Sequence, residues 1–184
     1  MRFRERPEEP WDGFLKALDA TVTGMVRLDC IGGFVMTQLY GMQRPTLDVD
    51  VIELAPQEIG AALLQIAARG GSLAKQHSIY IDRVAVASIP EDYESRLVEM
   101  FPRAYVNLRL MAVDPYDLAL SKLERNHRKD REDVAFLARH VPLDLQILQD
   151  RYRTEMRWQL GLPAREDLTM RLWIEMIEEE RTAP

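Results

Sequence analysis

CIGGFVMTQLYGMQRPTLDVDVIEL, residues 30–54, holds two elements of different periodicity joined by a short connection. Upstream, MVRLDCI reads as a strand that ends at Gly32 and Gly33. FVMTQLYG then takes up helical spacing through Phe34, Met36 and Leu39 and stops at Gly41. TLDVDVIEL alternates Leu47, Val49 and Val51 against Asp48, Asp50 and Glu53, with only Ile52 breaking the rule, which predicts a strand with one buried face. The unit is therefore strand, glycine turn, helix, acidic strand.

Successive strand side chains point to opposite faces, so Asp48 and Asp50 lie side by side on one face. Like charges that close are costly unless something neutralises them. A divalent cation does so. Mg²⁺, or Mn²⁺ in its place, suits one or two carboxylates completed by water and by phosphate oxygens of a substrate. Gly32 and Gly33 carry no side chains, so backbone N–H groups there can approach a phosphate. Taken alone, a glycine pair before a helix is a tight turn and two alternating aspartates are a solvated face; their order and spacing join them.

Outward from this stretch, WDGFLKALDATV predicts a short packing helix, and PQEIGAALLQIAARGG a helix with proline at its start and glycines after its end. SIYIDRVAVASI and AYVNLRLMAV read as two further strands, separated by a loop and short helix around PEDYESRL. From Asp114 the pattern is helical: DPYDLALSKLERN, KDREDVAFLARH, LDLQILQDRYRTEMRWQL and AREDLTMRLWIEMIEEE. The fold class expected is α/β (α+β): a mixed sheet of about four to five strands flanked by helices, then a C-terminal helical bundle. A core over 1–113 and a helical region over 114–184 packed on it are the expected domains.

The 184 residues suffice for one compact domain or a small α/β domain with a helical extension. Hydrophobic residues at 47% and charged residues at 29% describe an ordinary globular chain. No apolar run approaches the ~20 residues needed to cross a bilayer, which makes the cytoplasm the expected location and a membrane partner unexpected. A net charge of −6 argues against coating nucleic acid nonspecifically, though not against a local basic patch. The single cysteine, Cys30, sits in an apolar stretch and reads as a buried thiol; His77, His127 and His140 show no metal spacing.

The same stretch resembles the core motif of the polymerase-β-like nucleotidyltransferase superfamily, in which a glycine-containing turn and helix precede an Asp-x-Asp strand. More narrowly, Gly32, Gly33, Arg44, Thr46, Asp48 and Asp50 look like the GG…R-x-T-x-D-x-D form of small bacterial nucleotidyltransferase-like proteins (DUF6036-like) related to the AbiEii-type toxins. DPYDLALSKLERNHRKDREDVAFLAR is similar to those proteins' segment of lysine-bearing helix, charged turn and Asp-rich helix, so the resemblance spans most of residues 28–140.

This resemblance implies that residues 1–113 form the nucleotidyltransferase-like core, with Asp48 and Asp50 as catalytic metal ligands and Gly32, Gly33, Arg44 and Thr46 at the nucleotide. Lys122 would meet the triphosphate, and Asp130 or Asp133 would complete the site, the choice between them open; the bland alternative is a solvated helix pair. It also implies a third carboxylate on a later strand, for which Asp82 is the candidate; whether Asp82 faces the pair or bonds Arg83 is open. Arg44 either binds phosphate or bridges to Asp48 or Asp50.

The implied reaction is transfer of a nucleotide from an NTP to a hydroxyl of an RNA, tRNA included, or of a protein. Toxin-like relatives imply an antitoxin partner, with Arg125, Arg128, Lys129 and Arg131 receiving an RNA backbone. The rival expectations are a nucleotide- or nucleic-acid-binding module that has lost its chemistry, and an interaction protein. In the latter the stripe Leu172, Trp173, Met176 and Ile177 forms a homodimer instead of packing within the chain.

Overall fold

The computed structural model describes residues 4–85 and 87–182. They form two compact units: residues 4–85 with 97–113, and residues 87–96 with 114–182.

The first unit is built on a five-stranded mixed sheet. Its elements are α1 (Trp11–Asp19), β1 (Val26–Ile31), α2 (Gly32–Gln38), β2 (Asp48–Ala55), α3 (Gln57–Ala67), α4 (Ser72–His77), β3 (Tyr80–Arg83), β4 (Val98–Met100) and β5 (Leu108–Ala112). The spatial order is β3-β2-β1-β5-β4. β1 pairs with β2 antiparallel and with β5 parallel, β2 with β3 parallel, and β4 with β5 antiparallel. This is the mixed, helix-flanked sheet expected from the sequence.

Apolar periodicity places the core. Phe14, Leu15 and Leu18 of α1, Leu28 and Cys30 of β1, Phe34 of α2, Val49 and Val51 of β2 and Ile81 of β3 are all buried. Trp11 meets Phe34 with ring centroids 5.2 Å apart, and Phe14 meets the edge of His77 at 5.9 Å. A buried Leu, Val or Phe side chain stabilises the fold by about 1.5–3 kcal/mol, so this layer fixes where β2 lies.

The break in alternation at Ile52 is a β-bulge. Opposite β1, Cys30 pairs with Val51 and Asp29 with Glu53, so Ile52 is the extra residue. Leu28 and Cys30 share a face of β1, and their partners Leu54 and Val51 therefore share a face of β2, both buried.

Three details differ from the periodicity. Leu47 precedes β2 and is 59% exposed. The strand expected over SIYIDRVAVASI stops at Arg83: Val84 N–H still reaches the Val51 carbonyl at 2.9 Å, and beyond it the chain leaves for the second unit. β4, three residues long, and α4, six, were too short to carry a period of their own.

The second unit contains a 3₁₀ turn (Tyr93–Arg96), then α5 (Pro115–Leu120), α6 (Arg128–His140), α7 (Leu145–Arg151), a π-helical turn (Tyr152–Met156), a further 3₁₀ turn (Arg157–Gln159) and α8 (Pro163–Thr182). Leu118, Leu137, Leu148, Met156, Trp173 and Ile177 are buried in it. An ionic lattice runs beside them. Arg96 donates to Asp117 at 2.9 and 3.2 Å and to Glu155 at 2.6 Å; Arg151 donates to Asp114 at 2.7 Å and to Asp117 at 3.0 Å. No helix among the described residues is long and apolar enough to cross a membrane.

Candidate functional site

β2 begins at Asp48, and strand alternation puts Asp48 and Asp50 on one half-buried face while Val49 and Val51 point into the core. β3 runs parallel to β2 with Asp48 in register with Tyr80 and Asp50 with Asp82. Register neighbours share a face, so the third carboxylate falls beside the first two. One carboxylate oxygen from each of Asp48, Asp50 and Asp82 lies within 4.8 Å of the others. Arg83, the alternative partner weighed for Asp82, reaches Glu53 instead, at 4.0 Å. At such separations each like-charge pair costs about 1 kcal/mol even in bulk water and more near protein. The three oxygens form a hard, anionic donor set that fits Mg²⁺ or Mn²⁺ better than a soft metal.

The glycines serve this acidic face directly. Gly32 has φ +71°, a left-handed conformation, and a Cβ there would sit 2.0 Å from Asp50 Oδ2. Gly33 N–H donates to the same Oδ2 at 3.4 Å. A Cβ on Gly33 would lie 3.0 Å from Thr46 Oγ1 and 3.1 Å from an Arg44 guanidinium nitrogen. The space left by the missing side chains is thus occupied by the Asp50 carboxylate, by Thr46 and by Arg44, so the glycine turn and the acidic strand are parts of one arrangement.

Asp48 is oriented by two hydroxyls. Thr46 Oγ1 donates to Oδ1 at 2.6 Å and the Tyr80 phenol to Oδ2 at 3.4 Å. Arg69 donates to that phenol oxygen and lays its guanidinium 4.3 Å from the ring centroid. Burial, followed by the charge of Asp48, raises the Tyr80 pKa above that of an ordinary phenol, so the hydroxyl keeps its proton. Tyr80 and Arg69 were not singled out in the sequence. Tyr80 stands two positions before Asp82, and that spacing on a strand is the signal that places both on one face.

Lys122, Asp130 and Asp133 belong to the second unit. Lys122 Nζ meets Asp133 Oδ2 at 2.7 Å, with both side chains buried. Asp130 caps α6 by accepting from the His127 backbone N–H at 2.9 Å and takes two donors from Arg125. Burial pushes the Asp130 carboxyl up, but Arg125, the His127 N–H and the charge of Lys122 outweigh it, and the net shift is downward. Of the two aspartates, Asp133 is the one in contact with Lys122. In the basic run, Arg125 serves Asp130, Arg128 pairs with Glu132 at 3.0 Å, and Arg131 donates to the Asn126 carbonyl at 2.6 Å.

The other reactive side chains are placed as structural groups. Cys30 is buried, and burial together with the neighbouring Asp29 and Asp50 charges pushes its thiol well above the ordinary range, so it is no nucleophile. His127 caps α6, and His140 stacks on Phe136 at 4.0 Å.

Residues 15–181 match the model of a family described as "Nucleotidyltransferase of unknown function (DUF6036)". Neither the curated proteins nor the solved structures give a match.

Proposed function

We propose, because the chain belongs to this nucleotidyltransferase family, that it moves a nucleotide from an NTP to a hydroxyl of an RNA, tRNA included, or of a protein. The observation that carries the reading is the convergence of Asp48, Asp50 and Asp82 oxygens within 4.8 Å on a face the glycine turn leaves open for them.

In this reading Asp48, Asp50 and Asp82 hold Mg²⁺ or Mn²⁺, which when bound supplies charge stabilisation for the phosphate undergoing in-line attack and for the departing pyrophosphate. The chain's own residues set up that site. Thr46 and Tyr80 fix the Asp48 carboxylate through its two oxygens, and Gly33 N–H holds the Asp50 oxygen at the turn. Both carboxylates are thereby pre-oriented, which lowers the reorganisation needed when substrate arrives. Arg44, beside Gly33, offers a guanidinium suited to phosphate oxygens.

The finer reading, a polymerase-β-like enzyme acting as the toxin of a toxin–antitoxin pair, is supported by the likeness of Gly32, Gly33, Arg44, Thr46, Asp48 and Asp50 to the AbiEii-type pattern. Its partner would be an antitoxin protein.

The test is transfer of α-³²P label from each of the four NTPs, with Mg²⁺ or Mn²⁺, into total RNA and protein. Wild type is compared with Asp48→Ala/Asp50→Ala. Label with wild type alone, reduced by about a thousandfold or more in the variant, is the expected result, on the scale of losing preorganised electrostatic stabilisation. Nucleotide binding with no transfer under any condition would instead identify a binding module that has lost its chemistry.

A further inference from the structure

The helix α8 buries one face and leaves another uncovered. Thr169, Met170, Trp173 and Ile177 are buried, whereas Leu168 is 49% and Leu172 54% exposed, one turn apart on the far side. Along that outer stripe the charges are ordered: Arg165 lies one turn before Leu168, and Glu175 and Glu179 follow Leu172, all of them exposed. A cation near a helix start and carboxylates toward its end are the reverse of what the helix macrodipole favours; Arg165 is placed there beside the buried Glu166.

We infer that this face is an interface with a second copy of the chain, two α8 helices packing antiparallel about a two-fold axis at the level of Met170. Every residue on a helix rises by the same increment. An axis at that level therefore sets Leu168 opposite Leu172 of the second copy, twice, and Arg165 opposite Glu175 of the second copy, also twice. Apolar meets apolar at the centre and opposite charges meet at both flanks, which selects a second copy over other occupants. A parallel arrangement would instead bring Arg165 to Arg165 and Glu175 to Glu175. Arg165 is held within its own chain, its Nε donating to the buried Glu166 carboxylate at 2.9 Å and an Nη to the Glu124 carbonyl at 3.0 Å, while its side chain stays 54% exposed. Such an isologous contact is self-complementary and closed. A single helix pair lies at the small end of specific interfaces, so the dimer forms in a concentration-dependent way.

Sedimentation equilibrium of the full chain tests this, comparing wild type with Glu175→Arg, a surface change that leaves the α8 core intact. Wild type should dimerise, less tightly as salt rises. Glu175→Arg should dimerise about tenfold more weakly at low salt, because both flanking pairs become repulsive. It should recover as screening shortens the reach of exposed charges. A second measurement reads orientation. Cys30, the only native cysteine, is buried, so mixing Leu168→Cys with Leu172→Cys should give a mixed disulfide faster than either variant alone. A wild type that is monomeric at its highest soluble concentration, an unchanged Glu175→Arg, or preferential linkage of Leu168→Cys to itself would each overturn the inference.

Discussion

The buried carboxylates of the second unit and the acidic trio of the first are held in different ways, while Asp12 and Asp29 of the first unit, buried beside Lys16 and Arg27, follow the second unit's pattern. In the second unit each buried carboxylate is answered by a cation: Asp133 by Lys122, Asp130 by Arg125, Asp117 by Arg96 and Arg151, and Glu166 by Arg165. In the first unit Asp48, Asp50 and Asp82 are brought within 4.8 Å of one another, and Asp48 is oriented by the hydroxyls of Thr46 and Tyr80. Pairing with a cation holds a fold together, whereas three carboxylates gathered on one face repel one another and form a donor set for a divalent cation. The difference teaches which acidic residues to regard as scaffold and which as site, a distinction that residue type alone does not draw.

The comparison breaks most visibly at Lys122. Removing one member of a buried pair strands the other charge, so Lys122→Met should cost about 3–5 kcal/mol in urea unfolding. The double change Lys122→Met/Asp133→Leu should return most of it. If the single variant is as stable as wild type, the pair is not scaffold.

Gly32→Ala is the next largest. The left-handed backbone and the 2.0 Å approach of Asp50 Oδ2 predict a loss of about 1–3 kcal/mol, together with loss of any Mg²⁺-induced rise in melting temperature. An unchanged Mg²⁺ response would separate the glycine turn from the metal site.

Asp82→Asn sharpens the contrast from the other side. Relieving like-charge repulsion should leave the metal-free protein as stable as wild type or up to about 1 kcal/mol more stable, while the Mg²⁺-induced shift shrinks. Calorimetry with and without Mg²⁺ distinguishes this from a scaffold aspartate, whose loss would destabilise both forms.

The smallest effect concerns Asp167, a surface counterpart of the buried pairs. Hydrogen bonds from Arg157, then from the Tyr152 phenol, lower its carboxyl to about 2 from an ordinary 3.8. A depressed carboxylate contributes stability above its unfolded pKa and loses it as pH falls through the folded value. The stability gap between wild type and Asp167→Asn should therefore be constant near neutrality and close between about pH 4 and pH 2. A gap that persists at pH 2 would mean the asparagine acts through packing.

Much of the first unit was legible because it depends on period. The Asp48–Asp50 alternation, the glycine turn and the strand–helix–strand order all follow from spacings within one segment. Orientation of Asp82 was not legible: it depends on the parallel register between β2 and β3, a relation between segments far apart in the chain, and β3 has only four residues to display a pattern. The glycines were read as room for phosphate, and their nearest occupants are Asp50, Thr46 and Arg44, because a sequence shows where side chains are missing without showing what fills the gap. In the second unit the helices were legible, but SKLERNHRKDRED could equally have been a solvated face. Only burial of Lys122 and Asp133 separates an internal pair from surface charges. Of the stripe Leu172, Trp173, Met176 and Ile177, the structure buries Trp173 and Ile177 within the chain and leaves Leu172 outside.

Which side of a strand a residue occupies is a question of odd and even. Val49 and Val51 take the inner side on odd numbers, while Leu54 takes it on an even one. The surplus residue Ile52 is what changes the parity between them. Were Ile52 kept in a strand without the bulge, every position would count regularly, and either Leu54 would turn outward or the aspartates would turn inward. Were it deleted, Leu54 would stand two positions after Val51 and still face inward. The bulge that sets this uncharged residue aside therefore lets one strand carry a buried leucine near its end and two outward-facing carboxylates at its start.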